Sequence, residues 1–509
     1  MFSTMRSFLS SPILAVVACS LSIGGALDAQ CNYSWPAAAF GSGLNDVANC
    51  ATVDGNGDLI VGGRFTTAGG TGASYIARWD GSVWHPLGSG MDYDVVSLTT
   101  LANGDVVAGG PFTTAGGVTV NGVARWDGSA WSSLGSGLDP FAPFGPSANA
   151  IQELANGDIV VGGQFSGAGG VSANNIARFD GSSWHALGAG LGGSVRDMAI
   201  SGSDLVVVGS FTTSGATVVN RIARWNGGSW SNYSIGLSLF SASAVAVSKT
   251  TGAIYVGGVF AAAGGVPVNN IARFSGGGWS ALGSGTNGPV VAMQSMPNGD
   301  IMVAGAFTVA NGVVVDRVAR VTGTSWTSAF TAGTNNTVQD VVVAANGDVV
   351  LAGQFTFAGG SAQSYIASIA SSCAPQVTSL GAGCAGSGGL NVLSVTEAPA
   401  IGGAYRAIGS GMPAVAFVAD ILGLTTTALP LSVALPQALP GCNLYVNPDV
   451  IDVQLPSAGT VTTTVGLPVN PALISFVLNH QYVPLEVDSS FNFTQVTSSN
   501  AVQVTVGTF

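Results

Sequence analysis

The stretch Ala155–Gly190, ANGDIVVGGQFSGAGGVSANNIARFDGSSWHALGAG, is the cleanest copy of a unit that recurs along most of the 509-residue chain. Two aromatic positions index it. Phe stands at Phe65, Phe112, Phe165, Phe211, Phe260, Phe307 and Phe355, a period of 46 to 53 residues. In the first six copies a Trp follows 19 residues later, at Trp84, Trp131, Trp184, Trp230, Trp279 and Trp326. The Asn-Gly-Asp at Asn56, repeated at Asn103, Asn156, Asn298 and Asn346, predicts a two-residue hairpin turn joining strands one and two, since Asn and Gly tolerate positive φ. Strand two, Ile159-Val160-Val161, is apolar at consecutive positions, as a strand buried on both faces requires. A Gly pair and a loop of Thr, Ala, Gly and Asn lead to strand three, Ile76 to Trp79 in the first copy. Asp80-Gly81 then turns the chain into strand four, which carries the indexed Trp. Four-stranded units repeating at about 50 residues predict a propeller, in which each blade buries its faces on its neighbours.

The seventh copy reaches strand three at Tyr365 to Ile369 and stops. Its missing piece stands near the start of the chain, where Tyr33-Ser34-Trp35 and Phe40-Gly41-Ser42-Gly43-Leu44 repeat the ending of the other copies. Seven Phe thus meet seven Trp. The expectation is an all-β protein: a seven-bladed β-propeller over residues 30–373, its last blade closed by the N-terminal strand, followed by a β-sandwich over residues 374–509. That last region has lost the period and reads as short strands separated by Pro, Gly and Asn.

Residues 1–29 read as an export signal, with Arg6 before the apolar run Ile13 to Leu21 and small residues at Ala26 to Ala29. A rival reading takes Val16-Val17-Ala18-Cys19 as a lipoprotein box, with Cys19 lipidated. No later segment reaches the ~20 apolar residues of a membrane span, so a secreted or cell-surface protein is expected. Charged residues are only 7% and the net charge of -12 reflects scarce Lys and Arg, which excludes the basic patch that nucleic acid needs.

Beyond the signal stand Cys31, Cys50, Cys373, Cys384 and Cys442, an odd set in an oxidising compartment, so one is free or paired between chains. Aligning the last blade with the others sets Cys31 beside Cys373, and a disulfide between them is expected in place of the blade's Asp-Gly turn. Cys373 with Cys384 is the competing pair, and Cys384 and Cys442 are positioned in sequence to staple the C-terminal domain.

Strand two ending in Gly-Gly, a variable loop, an aromatic-Asp ending to strand three and a Trp in strand four resemble the kelch repeat of galactose-oxidase-like propellers. They are also similar to Gly-rich propeller repeats of bacterial secreted and surface proteins. The resemblance covers residues 31 to 373 and implies the architecture. It does not choose between enzymes and binding modules, both of which use the fold. A copper site of the galactose-oxidase type needs histidines and tyrosines near the ring axis, and the chain has only His85, His185 and His480. The first two decorate strand four, and His480 stands alone, so no metal and no cofactor are expected.

Arg78, Arg125, Arg178, Arg224 and Arg320 on strand three are predicted to pair with Asp58, Asp105, Asp158, Asp204 and Asp300 at the start of strand two. Ala253 leaves Arg273 without a carboxylate, and Ser368 leaves Asp348 without an arginine. Functional variation is expected on the face of the longer loops. Candidate ligand-binding residues there are Asp46, Tyr93, Asp94, Arg196 and Asp340 near the starts of innermost strands, with Asp92 and Asp197 beside them. Phe141 and Phe144 in an enlarged, proline-rich loop complete the set. The reading that follows is a non-enzymatic protein binding a glycan or protein ligand. The alternative is a glycan lyase or hydrolase working through Asp46, Asp94, Asp340 and Arg196.

Overall fold

The computed structural model describes residues 33–507 apart from 37–38, 141–144, 239, 297–298, 328–332, 345–347, 372–375, 398–403, 468–475 and 491. Residues 48–371 build six four-stranded antiparallel sheets from consecutive strands and most of a seventh. In the first, Ala48–Val53, Leu59–Gly63, Ile76–Trp79 and Trp84–Pro86 lie in that order. The last sheet takes Val338–Val343, Val349–Gly353 and Ile366–Ser371 from its own copy, and its fourth strand is Tyr33–Ser34, with Tyr33 opposite Ser371 and Ser34 opposite Ala370. The first strand of each sheet lies beside the first strand of the next, and Val338–Val343 lies beside Ala48–Val53.

Second strands explain the packing. Every residue of Leu59–Gly63 is buried, as is every residue of Val349–Gly353. These runs of Val, Ile, Leu and Gly therefore pack on both faces. Each apolar cluster draws on two adjacent sheets, and one of them joins Val350, Ala352 and Ile366 of the last sheet to Ala51, Val61 and Phe65 of the first. The indexed Trp residues tie the interfaces. Trp184 Nε1 donates to the Leu134 carbonyl of the preceding sheet at 2.9 Å, Trp131 to Leu87 at 2.9 Å, and Trp326 to Leu282 at 2.8 Å. Beneath Trp184 lies Gly169 (φ +60°), where an added Cβ would sit 2.6 Å from the indole, so the position admits glycine alone. Trp35 lies over Gly359 in the same way.

Two local expectations change. The Asn-Gly-Asp segment is not a two-residue turn. Asp54 and Asp58 close it from either side, Asp54 N to Asp58 O at 2.8 Å, leaving Gly55-Asn56-Gly57 between them. Only Gly57 takes positive φ. The Asn instead spends its side chain on the neighbouring carboxylate: Asn156 Nδ2 donates to Asp158 at 2.8 Å. The loop between strands two and three is itself a small hairpin, Thr67–Ala68 with Thr71–Gly72 in the first copy. It is bridged to the segment entering the sheet, Leu44 against Ala68.

All five expected Arg-Asp pairs form. Arg78 lies 3.6 Å from Asp58, and Arg224 lies 2.5 Å from Asp204. Arg273, lacking a carboxylate, lies over the Tyr255 ring, 5.9 Å from its centre. His85 and His185 bond the turn carboxylates Asp80 and Asp180 at 2.7 and 2.6 Å.

Residues 376–507 form their own sheets. A six-stranded sheet includes Gln376–Leu380, Ala416–Gly423, Val477–Val487 and Ala501–Thr505, and a three-stranded sheet is made of Val392–Glu397, Ala404–Ser410 and Thr460–Gly466. One apolar cluster joins both, with Tyr405 and Val461 from the smaller and Val418, Tyr482 and Val504 from the larger. Among the described residues the one α-helix is Leu431–Ala434, and no helix is long and apolar enough to cross a membrane. Cys384 is bonded to Cys442, with Cα atoms 5.6 Å apart, which rules out the competing Cys373–Cys384 pair. Cys31 and Cys373 lie outside the described residues, and Cys50 is free and buried.

His480 is not alone. Its Nδ1 lies 2.7 Å from the Tyr405 hydroxyl and its Nε2 2.7 Å from Asp420 Oδ1, while Thr463 and Gln454 donate to Asp420 Oδ2. All of these residues but Gln454, which is half-buried, are buried. Fully satisfied polar groups of this kind fix one packing of the two sheets.

Candidate functional site

The first strands line a channel of about 970 Å3, to which all seven sheets contribute. Its chemistry is set by a β-bulge in the opening residues of those strands. The extra residue is Asn49, Asn149, Arg196, Ser243, Val291 or Gln339, according to the sheet. A bulge leaves one residue outside the ladder and re-aims its side chain, and each of these six lines the channel.

The residue after the bulge reaches sideways instead. Asp340 Oδ2 accepts from Ala51 N at 2.8 Å, so a carboxylate of the last sheet holds the first strand of the first, while its Oδ1 accepts from Val341 N at 2.8 Å. Asp197 does the same one sheet boundary away from its own, accepting from Met198 N at 2.7 Å and Val245 N at 2.8 Å. Burial pushes Asp197 up to about 7 against the pull of those two N–H groups, with the Asp340 charge adding to the rise. Asp340 is pushed up to about 6 by burial, again against its two N–H donors. Cys50 is raised by burial and then by Asp340.

The other candidates divide. Asp94 lines the channel paired with Arg64 at 3.0 Å. Tyr93 is exposed and stacked on Tyr75, ring centres 6.5 Å apart, and is not among the lining residues. Asp46 is exposed, accepts from Val47 N at 2.7 Å and is likewise outside the lining. Asp92 holds a loop: it accepts from Thr113 N at 2.8 Å, Thr113 Oγ1 at 2.6 Å and Thr114 N at 3.0 Å. Burial raises it, but these three donors outweigh that and hold it below the ordinary carboxylate range. Asn287 and Asn335 do the same work in later copies. Phe141 and Phe144 lie outside the described residues.

Beside the channel opens a second cavity, of about 910 Å3, between the third and fourth sheets. Arg196 and Asn149 belong to both cavities. Its other polar lining includes Ser147, Gln164, Asn174, Ser210 and Thr213. Asn149 is held in place by donating to the Val195 carbonyl at 3.0 Å and to Ser194 Oγ at 3.2 Å. Sequence reasoning found Arg196 and missed the rest. No departure from the repeat marked them: the position before the indexed Phe varies freely, and Gln stands there both as Gln164 and as Gln354. Among the described residues no group of three or more His, Cys, Asp or Glu is placed to hold a metal ion.

The model of a β-propeller domain of unknown function, DUF5122, matches residues 154–182 and 297–324. No curated protein matches the chain. Among solved structures, the extracellular domain of a hybrid two-component system from B. thetaiotaomicron is 11% identical, covering 75% of this chain and 46% of its own, with a TM-score of 0.43. The extracellular domain of a one-component system from the same organism is 10% identical over 93% of this chain and 59% of its own, with a TM-score of 0.41. A protein described as a gluconolactonase is 11% identical over 68% of this chain and 93% of its own, with a TM-score of 0.34. The chain therefore spans about half the length of the first two. Repeated four-stranded sheets and the family match agree on an all-β chain of the β-propeller type.

Proposed function

We propose that this chain is an exported, seven-bladed, kelch-like propeller with a C-terminal β-sandwich, and that it binds a glycan or protein ligand on the face of its longer loops. The sandwich serves attachment. The observation that carries the binding reading is the cavity between the third and fourth sheets, lined by amides and hydroxyls and continuous in its lining with the channel. Sites of that composition suit hydroxyl-rich ligands, because each amide both donates and accepts. The carboxylates of the channel are already engaged: Asp94 by Arg64, Asp197 and Asp340 each by two backbone N–H groups.

A glycan array probed with the wild type and with Gln164→Ala and Asn174→Ala tests this. Gln164 makes no side-chain bond with a described residue and exposed Asn174 gives up only a long bond to the Ala189 carbonyl (3.4 Å), so both variants should melt close to the wild type while losing about tenfold in affinity, the worth of one or two polar contacts. Unchanged binding by both variants would move the site elsewhere. A second reading, a glycan lyase or hydrolase, draws support from Asp197 and Asp340, whose raised values suit acid-base work near neutral pH. Shortening of a bound oligosaccharide, abolished by Asp340→Asn, would select it.

A further inference from the structure

Resting on the binding reading, we infer that the cavity between the third and fourth sheets takes a carboxylate-bearing sugar, a uronate or a similarly acidic glycan, and that the Arg196 guanidinium grips the carboxylate. The chain has 13 basic residues; most described arginines are committed, and Lys249, exposed, lines the channel but not this cavity. Arg64, Arg78, Arg125, Arg178, Arg224 and Arg320 hold carboxylates. Arg221 donates to the carbonyls of Phe240 and Leu237, Arg317 to that of Thr334, and Arg273 covers Tyr255. Arg196 is exposed and makes no hydrogen bond or ion pair with a described residue. It stands at the bulge position, where the equivalent residues are uncharged.

The surroundings fit an anion carried on a polyol. Arg196 is the one charged residue in the lining of this cavity, which includes no Asp or Glu. A guanidinium offers a planar pair of donors that a carboxylate accepts in parallel, and it does so best where no protein carboxylate competes. Gln164, half-buried on the third-sheet side of the cavity, also makes no side-chain hydrogen bond with a described residue, so its amide is left to a ligand. Asn174 and Thr213 add donors and acceptors to the lining, while Asn149 is held by Ser147, Ser194 and Val195. With a net charge of -12 the protein as a whole repels anions, so a cation with which no described carboxylate pairs is a condition for binding one; Asp197 beside it and Asp340 and Asp94 in the channel are engaged elsewhere.

The test uses the full chain and two sets of probes by calorimetry: hexamers of galacturonate and glucuronate, and neutral hexamers of xylose and cellobiose units. The acidic hexamers should bind at least about tenfold more tightly than the neutral ones, and added salt should weaken only the acidic set. Arg196→Gln should melt with the wild type, since no internal bond is lost, and should lose about tenfold or more in affinity for the acidic set. Arg196→Lys, which keeps the charge and loses the fork, should fall between. Equal binding of both sets, or acidic binding untouched by Arg196→Gln, overturns the inference. Neutral binding that depends on Gln164 but not on Arg196 overturns it while leaving the binding reading intact. Failure of every hexamer to bind overturns it and confines the binding reading to a protein ligand.

Discussion

Single residues carry two kinds of charge in this molecule, and they act at different pH. Asp80, Asp127 and Asp180 sit at exposed turns where backbone and Ser donors hold their carboxylates below the ordinary range, with His85 and His185 adding to Asp80 and Asp180. What they contribute is present at neutral pH and is lost only in strong acid. Asp197 and Asp340 are the reverse, raised to about 7 and about 6 from an ordinary value of 3.8. Between pH 4 and 7 the folded chain therefore holds more protons than the unfolded one, and stability falls as pH rises through that window. With each unit worth about 1.4 kcal/mol, the melting temperature should be several degrees higher at pH 5 than at pH 8. Asp197→Asn, which cannot titrate, should shrink that difference, and a variant with the wild-type slope would show that burial at this carboxylate is not the cause. Residue roles of this sort were only partly readable beforehand. Arg-Asp pairing followed from strand direction alone, but the bulge that separates Arg196, aimed at the cavity, from Asp197, aimed at the next sheet, leaves no mark in composition or periodicity. The Tyr405–His480–Asp420 contacts join residues up to 75 positions apart and escaped for the same reason.

At the scale of elements, the repeat could be read because each position answers to one physical demand. Six indexed Trp donate to a carbonyl on the neighbouring sheet, and Trp84, Trp131, Trp184, Trp279 and Trp35 also lie over a glycine, whereas Asn311 stands at that position in the copy of Trp326. Gly169 and Gly170 separate these demands. Both have positive φ, +60° and +78°, but only Gly169 would drive a Cβ into Trp184, whereas Gly170 has open space. Gly170→Ala should cost about 1 kcal/mol, the penalty of the left-handed backbone alone. Gly169→Ala should cost at least about 1 to 3 kcal/mol more, because the indole must shift and its bond to Leu134 suffers. Equal midpoints for the two variants in urea would mean that the Trp interface yields without penalty. What escaped reading was the shape of the connections. Asn-Gly signals a tight hairpin in isolation, but here side-chain carboxylates and amides bond within a three-residue loop, Asp54 with Asn56 N and Asp58 N in the first copy and Asn156 with Asp158 in the third. The Thr-Ala-Gly-Gly loops gave no alternation from which to infer hairpins of two-residue strands.

For the whole molecule the decisive feature is where the chain ends fall relative to the repeat. Tyr33–Ser34 pairs with Ile366–Ser371, Trp35 packs against the cluster around Phe355, and Gln363 Nε2 donates to the Pro36 carbonyl at 3.1 Å. Asp340 and Ala51 tie the same boundary on the inner side. In an open array a terminal strand stabilises only its own unit, since each unit touches only its neighbours. In the proposed ring the same strand holds the last blade against the first, and its loss frees two interfaces. Removing residues 31–36 should therefore lower hydrogen-exchange protection together in Ala48–Val53 and in Val349–Gly353, before the fourth sheet, Val195–Ser201, is affected. The bared edge of Ile366–Ser371 should also promote association between copies, as unpaired strands do. Protection lost from Val349–Gly353 alone, with Ala48–Val53 unchanged, would identify an open stack whose last unit merely frays.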